Sequence, residues 1–226
     1  MAQAGIHSIL GMAVKKWTPE HDWLLLGIVL GSLLPDTDNL AVAVATVANL
    51  PSEGLHRTFT HSLVMVVAVV AVFFVVAQIT RQPRWKNLGI GLGIGILLHI
   101  LLDLLIWFNG VEILWPVPSW INLWSGITPP LWFDKLMMTV EFFFFALFFL
   151  GLSTLARRQG TDLGYLGKLR MWTWVQLGLF VIFTVLVYTL SKGFMTPYGL
   201  TYLLSLGLAI GVTIRMRQTI DYGKSG

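Results

Sequence analysis

Apolar residues run along this chain in long unbroken stretches, not in alternation with polar ones. Five windows, 62–79, 88–108, 136–156, 173–190 and 198–214, reach the roughly 17–25 apolar residues with which a helix crosses a hydrocarbon core about 30 Å thick. Continuous runs of this kind exclude a membrane β-barrel, whose strands alternate. Two shorter apolar pieces, 23–34 and 40–50, are interrupted by Pro35 and by Asp36 and Asp38. They read as half-helices or re-entrant segments, tolerated at membrane depth only when buried in protein. The expected fold class is therefore all-α: a polytopic helical membrane protein with about five full transmembrane helices plus short N-terminal or re-entrant helices. Residues 1–116 carry most of the internal polar groups, and 117–226 form an outer interfacial loop and the C-terminal helices of the same bundle.

Composition sharpens this picture. The chain is 56% hydrophobic and 12% charged, with a mean hydropathy of +0.76, values outside the range of a soluble domain. It has no cysteine, so any metal must be held by nitrogen and oxygen. The net charge of +4 suggests nucleic acid only until the basic residues are mapped. Arg81, Arg84 and Lys86, then Arg157, Arg158, Lys168 and Arg170, then Arg215, Arg217 and Lys224 fall in alternate loops and the tail. The positive-inside rule puts those loops and the C-terminus in the cytoplasm, and no nucleic-acid partner is needed. Lys15 and Lys16 fit either a cytoplasmic turn or snorkelling side chains. The opposite side holds 49–61 and 109–134, where Trp115, Trp120, Trp124 and Trp132 are expected at the level of the headgroups. The N-terminal "MAQAGIHSILGMAVKKW" lacks a basic leader and a small-residue cleavage pattern, and is expected to remain in the mature chain.

Four short polar groups interrupt the apolar background: His7 in "GIHSILG", Asp36 and Asp38 in "LLPDTDNL", His56 to His61 in "LHRTFTHSL", and His99 with Asp103 in "LLHILLD". His99 and Asp103 stand four apart, one face of a helix. An unpaired intramembrane Asp costs several kcal/mol, so such residues are functional candidates by default. By the loop assignment, the last three groups meet in the outer leaflet. Imidazoles and carboxylates one helical turn apart can hold one divalent ion or bridge two, as in H-E-x-x-H proteins, and the sulfur-free set suits zinc, manganese or iron. Plainer readings exist for each. His99 and Asp103 fit a hydrogen-bonded pair, Asp36 a turn, and Thr60 the cap of the helix that follows. Thr18, Pro19, Glu20 and Asp22 read as a helix start, which leaves His21 outside the site. Gly89 with Gly93, and Gly91 with Gly95, are small-x-x-x-small pairs that admit close helix packing. "EFFFFALFFLG" reads as lipid-facing bulk, in a half of the chain that offers little chemistry apart from Glu141. "YGKSG" lacks the first glycine of a P-loop and reads as a tail.

The ordered set of His7 with Gly11, "LPDTD", "HRTFTHS", "HILLD" and Gly110 leading to "LWP" at 114–116 resembles the bacterial membrane-bound metal-dependent hydrolases of the LexA-regulated type. It is more distantly similar to the zinc-dependent phospholipase C and P1-type nucleases, which are all-helical phosphoesterases. The resemblance spans roughly residues 6–116. It implies an inner-membrane hydrolase whose metal ligands are His7, Asp36, His61, His99 and Asp103, with zinc as the metal and manganese or iron as alternatives. No histidine follows His99, so one or two ions are expected, not three. The expected substrate is an ester or phosphoester of a lipid or lipid-like molecule, reached at the outer face. Asp38 is expected as general base, Arg57 as the holder of a phosphate oxygen, and His56 and Thr58 as donors behind the ligands. Two other classes fit the same residues: an ion or metal permease, disfavoured because the groups cluster at one leaflet, and a non-catalytic protein stapled by its metal. The oligomeric state is not readable from the sequence.

Overall fold

The computed structural model describes residues 4–190 and 193–221, so the "YGKSG" tail and Lys192 lie outside the described residues. Its helices are α1 (Ala4–Ala13), α2 (Leu24–Leu33), α3 (Asn39–Val47), α4 (Leu63–Thr80), α5 (Pro83–Ile106), α6 (Leu131–Gln159), α7 (Leu166–Thr189), α8 (Met195–Arg215) and α9 (Arg217–Ile220). Among the described residues the only β pairing is a single bridge, Val111 to Ile121.

Six helical runs, one more than the five full crossings expected, are long and apolar enough to span a membrane. The sixth is Leu24–Val47, in which the two presumed half-helices join through a 3₁₀ turn at Pro35–Asp38. Proline occupies the first position of that turn, where its missing N–H leaves no bond unmade. The chain bends there instead of stopping, and Asp36 and Asp38 are delivered partway along the span. This extra span places Lys15 and Lys16 in a turn at the same end as the other basic loops. Lys15 Nζ donates to the Ile220 carbonyl at 2.5 Å, and the Arg84 guanidinium lies 4.5 Å from the Trp23 ring. Arg57 and Lys135 are then the basic residues of the opposite end among the described residues. The helix expected to start at Thr18 does not form. The Thr18 hydroxyl instead donates back to the Val14 carbonyl (2.8 Å) at the end of a 3₁₀ turn, and α2 begins only after Trp23, whose φ is +65°.

Helix α5 is gripped on two sides, and its glycines decide how closely. A Cβ on Gly91 or Gly95 would strike the backbone of α2 at Leu24, Gly27, Ile28 and Ser32, whereas one on Gly89 or Gly93 would strike Phe73 and Val70 of α4. Each small-x-x-x-small pair therefore serves a different neighbour, with Gly27 and Gly31 of α2 completing the first contact. The phenylalanine run of α6 is corrected by the structure. Phe142, Phe145, Phe148 and Phe149 are fully buried in the core shared with α1, α2, α7 and α8, while Leu147 and Leu150 face outwards. Phe142 stacks on Phe183 and meets Tyr198 edge-on. A run that is apolar on every side carries no amphipathic signal, so lipid and protein faces cannot be told apart in sequence.

Helix α4 is peripheral, with no buried residue along its length, and starts at a cap. Ser62 Oγ, not Thr60, accepts the Met65 N–H at 3.2 Å. Ser62→Ala is expected to cost about 1 kcal/mol, read as an earlier midpoint in SDS unfolding with metal content unchanged. The 107–130 loop covers this region. Its Glu112 N–H donates to the Arg57 carbonyl and its Ile113 carbonyl accepts from Leu63 N–H, both at 2.9 Å, and Trp115 meets Phe59 edge-on at 4.9 Å.

Candidate metal centre

Four elements converge on one buried point. Helix α1 contributes His7, the Pro35–Asp38 turn Asp36, the Phe59–His61 turn His61, and α5 both His99 and Asp103; all five side chains are at most 2% exposed. Asp103 lies three residues and His99 seven residues before Ile106, about 5 and 10 Å from the helix end at 1.5 Å per residue. The site therefore lies within the length of the candidate spans, displaced towards the end that carries the 107–130 loop. His21, left out of the site on sequence, is exposed in the turn region before α2.

The innermost set comprises His61 Nε2, His99 Nε2, Asp36 Oδ1 and Asp103 Oδ2. The two imidazole nitrogens are 3.1 Å apart. His61 Nε2 is 4.0 Å from Asp36 Oδ1 and 3.6 Å from Asp103 Oδ2, and His99 Nε2 is 3.8 and 3.9 Å from the same two oxygens. A tetrahedral ion with bonds of about 2.0–2.1 Å requires donors about 3.3–3.4 Å apart, so the set is near that spacing and slightly open. His7 is adjacent. Its ring stacks on His99 with centroids 3.6 Å apart, its Nε2 is 3.2 Å from Asp103 Oδ1, and neither of its nitrogens has a hydrogen bond.

The outer hydrogen bonds fix which nitrogens carry protons. His99 Nδ1 lies 2.9 Å from the Ser32 carbonyl, which only accepts, so Nδ1 is the protonated nitrogen. The Thr60 hydroxyl donates to Asp38 Oδ2 at 2.6 Å and stands 2.9 Å from His61 Nδ1. With its hydrogen committed to Asp38, the hydroxyl oxygen accepts from His61, whose Nδ1 is again the N–H. Both Nε2 atoms therefore turn lone pairs towards each other at 3.1 Å. As neutral imidazoles neither donates to the other, and an electron-pair acceptor between them would satisfy both. Backing of metal-ligating imidazoles by carbonyls and carboxylates is the usual arrangement at metal sites. Three groupings, His7–His99–Asp103, Asp36–His61–His99 and Asp38–His56–His61, bring donor atoms within 4.8 Å of one another. In the third, His56 Nδ1 is spent on Asp38 and His61 Nδ1 on Thr60, so it is an orienting network.

The other expected site residues divide. Asp38 uses both oxygens as an acceptor: Oδ1 from His56 Nδ1 (2.7 Å) and Asn39 Nδ2 (3.3 Å), Oδ2 from Thr60 and from the Arg57 N–H (3.3 Å). A general base needs a lone pair aimed at its proton, so Asp38 is placed to orient His61, not to act as the base. His56 stands behind Asp38 as expected. Thr58 does not join the site, because its hydroxyl donates to the Gly54 carbonyl at 2.8 Å. Arg57 is 3% exposed, with Nε 3.4 Å from Asp103 Oδ2. Its backbone is left-handed, φ +64°, a conformation that persists in a non-glycine residue only where surroundings enforce it; the bonds from Arg57 N–H to Asp38 and from Glu112 N–H to the Arg57 carbonyl do so here. Sequence reasoning missed Ser32, whose contribution is a backbone carbonyl and leaves no residue signature, and the bridging role of Thr60.

A family model described as YdjM inner membrane protein matches residues 2–195. No curated protein and no solved structure gives a match.

Proposed function

The chain belongs to the YdjM inner membrane protein family, and from that premise we propose that its buried centre holds one divalent ion and hydrolyses a phosphoester of an amphiphilic, lipid-like substrate. The observation that carries the reading is the pair of opposed Nε2 lone pairs on His61 and His99, flanked by Asp36 and Asp103. The residues fit an ion in charge as well as spacing. Around the centre, three carboxylates, Asp36, Asp38 and Asp103, face one guanidinium, Arg57. The excess of two negative charges is balanced by one divalent cation and overshot by two, and buried charge is tolerated only when compensated. Nitrogen and oxygen donors near tetrahedral spacing favour zinc, with manganese or iron next.

When bound, such an ion lowers the pKa of a water towards neutrality and polarises the bond under attack. The chain's own residues do the rest. His61, His99, Asp36, Asp103 and His7 hold the ion, while Asp38, Thr60 and the Ser32 carbonyl keep the ligating imidazoles in the required tautomer and orientation. Asp36 Oδ2, buried and without a hydrogen bond, is the oxygen placed to accept a proton from attacking water. Arg57 Nη2 is also buried without a partner. A planar donor in that state fits an anionic phosphoryl oxygen better than the neutral carbonyl of a simple ester. With the basic loops in the cytoplasm, the centre lies in the outer leaflet, and the Trp-rich loop borders it at the height of the headgroups. A permease is less well supported. Leu25, Ile28, Val29 and Leu92, all buried, fill the α2–α5 region towards the basic end, where a pathway needs polar groups.

The test uses purified protein in detergent. About one zinc per chain is expected, with metal-dependent hydrolysis of a phosphodiester presented in mixed micelles. Arg57→Lys keeps the charge and loses the planar fork, and should retain metal while kcat/KM drops about 10–100-fold, as for loss of a hydrogen bond to a charged group. A protein that holds its zinc yet hydrolyses no phosphoester would leave the stapled, non-catalytic reading in place.

A further inference from the structure

Glu141 is a carboxylate inside a candidate membrane span with no counter-cation among the described residues. It lies in α6, is fully buried, and forms no ion pair with any described residue; its Oε2 has no hydrogen bond. A charge or a buried acid at that depth is expensive and marks a function by default. Among the described residues, the N–H of Gly5 donates to Oε1 at 2.6 Å. Gly5 lies in the first turn of α1, where N–H groups have no partner within the helix and where a carboxylate complements the helix dipole. The contact is close on all sides. A Cβ on Gly5 would meet the Glu141 carbonyl, Phe144 Cβ and Phe145 N at 2.8–2.9 Å, so the two helices touch backbone to backbone at this point.

Two residues further along α1 stands His7. His61 and His99 are each aimed by a hydrogen bond at Nδ1, but His7 has none at either nitrogen. What sets its ring against His99 and its Nε2 against Asp103 is the seating of α1 itself. The bond from Gly5 to Glu141 seats the start of α1 on the C-terminal half of the chain. We infer that Glu141 is the positioning residue for His7: it docks α1 and thereby completes the metal centre with a donor that no local hydrogen bond orients. The inference rests on the metal-centre reading.

The experiment compares Glu141→Ala, Glu141→Gln, His7→Ala, His99→Ala and the Glu141→Ala/His7→Ala double variant in the full chain. Zinc affinity is read by competition with a chelator, and ligand number by the visible spectrum of the Co(II)-loaded protein. Glu141→Ala should weaken zinc by about 10–100-fold, the usual loss when an outer partner of a ligand is removed, and should reproduce the His7→Ala spectrum. Glu141→Gln, which still accepts from Gly5, should return close to wild type in both. The double variant should be no weaker than His7→Ala alone, because both changes remove the same donor. Glu141→Ala with wild-type zinc affinity and spectrum, while His7→Ala loses both, would overturn the inference and leave the centre standing, as would additive losses in the double variant. Wild-type zinc binding in His99→Ala would instead overturn the metal reading itself.

Discussion

Asp103→Ala protein is expected to purify with zinc at background level, against about one ion per chain in the parent. The side chain is the hub of the centre. Its two oxygens lie 3.2 Å from His7, 3.4 Å from Arg57, 3.6 Å from His61 and 3.9 Å from His99. Truncation removes a ligand and leaves the Arg57 guanidinium buried with no carboxylate beside it. Breaking a buried pair in this way costs about 3–5 kcal/mol, so lower stability should accompany the loss of metal. Asp103→Asn separates the two effects. It preserves the shape and an acceptor oxygen but not the charge, and should remain folded while zinc affinity falls by more than the roughly 100-fold seen at most for outer partners. Elemental analysis alongside an SDS unfolding curve gives both readouts. Full zinc content in Asp103→Ala would remove Asp103 from the ligand set and the one-ion charge balance with it.

Gly95→Leu should be strongly damaging to the α2–α5 contact. A Cβ there would collide with the Ile28 carbonyl and lie 2.7 Å from the Ser32 N atom, so α2 and α5 must separate. Packing at glycine contacts is a main source of helix association where lipid supplies no hydrophobic drive, and overpacking typically costs about 1–3 kcal/mol even where some relaxation is possible. Here the obstacle is backbone, which relaxes least. Separation would also pull the Ser32 carbonyl from His99 Nδ1, a bond of 2.9 Å, so zinc affinity should fall together with stability. Gly178→Leu is the control. It has open space around its Cβ position and should change stability by no more than about 1 kcal/mol, the helix propensity of glycine. Equal behaviour of the two variants in SDS unfolding and zinc binding would show that the α2–α5 glycine contact is not what seats His99.

Periodicity was a good guide wherever apolar and polar residues were adjacent, and silent wherever everything was apolar. His99 and Asp103 could be placed on one face from their spacing alone, and Asp36 and His61 could be brought near them from loop order. In sequence the Leu24–Val47 span reads as two pieces because a proline and two acids interrupt it, yet a 3₁₀ turn absorbs all three. The burial of Phe142, Phe145 and Phe149 was invisible, since lipid and protein interior are equally apolar. In sequence Asp38 reads as the base because an acid next to a ligand has no other signature; in the structure it accepts four hydrogen bonds, three of them from residues 18–22 positions away.

Hydrophobic length, loop charge and the spacing of a few titratable residues were enough to establish an all-helical membrane protein with a polar cluster displaced towards one end, because each is a property of a single segment and its solvent. Which imidazole nitrogens face one another, which carboxylate oxygens have no hydrogen bond, and how His7 reaches the others through a helix seated on Glu141 were decided only in three dimensions. These are relations between segments up to 136 residues apart, set by backbone approach at glycines and by bonds to carbonyls that every residue possesses, so no residue type announces them.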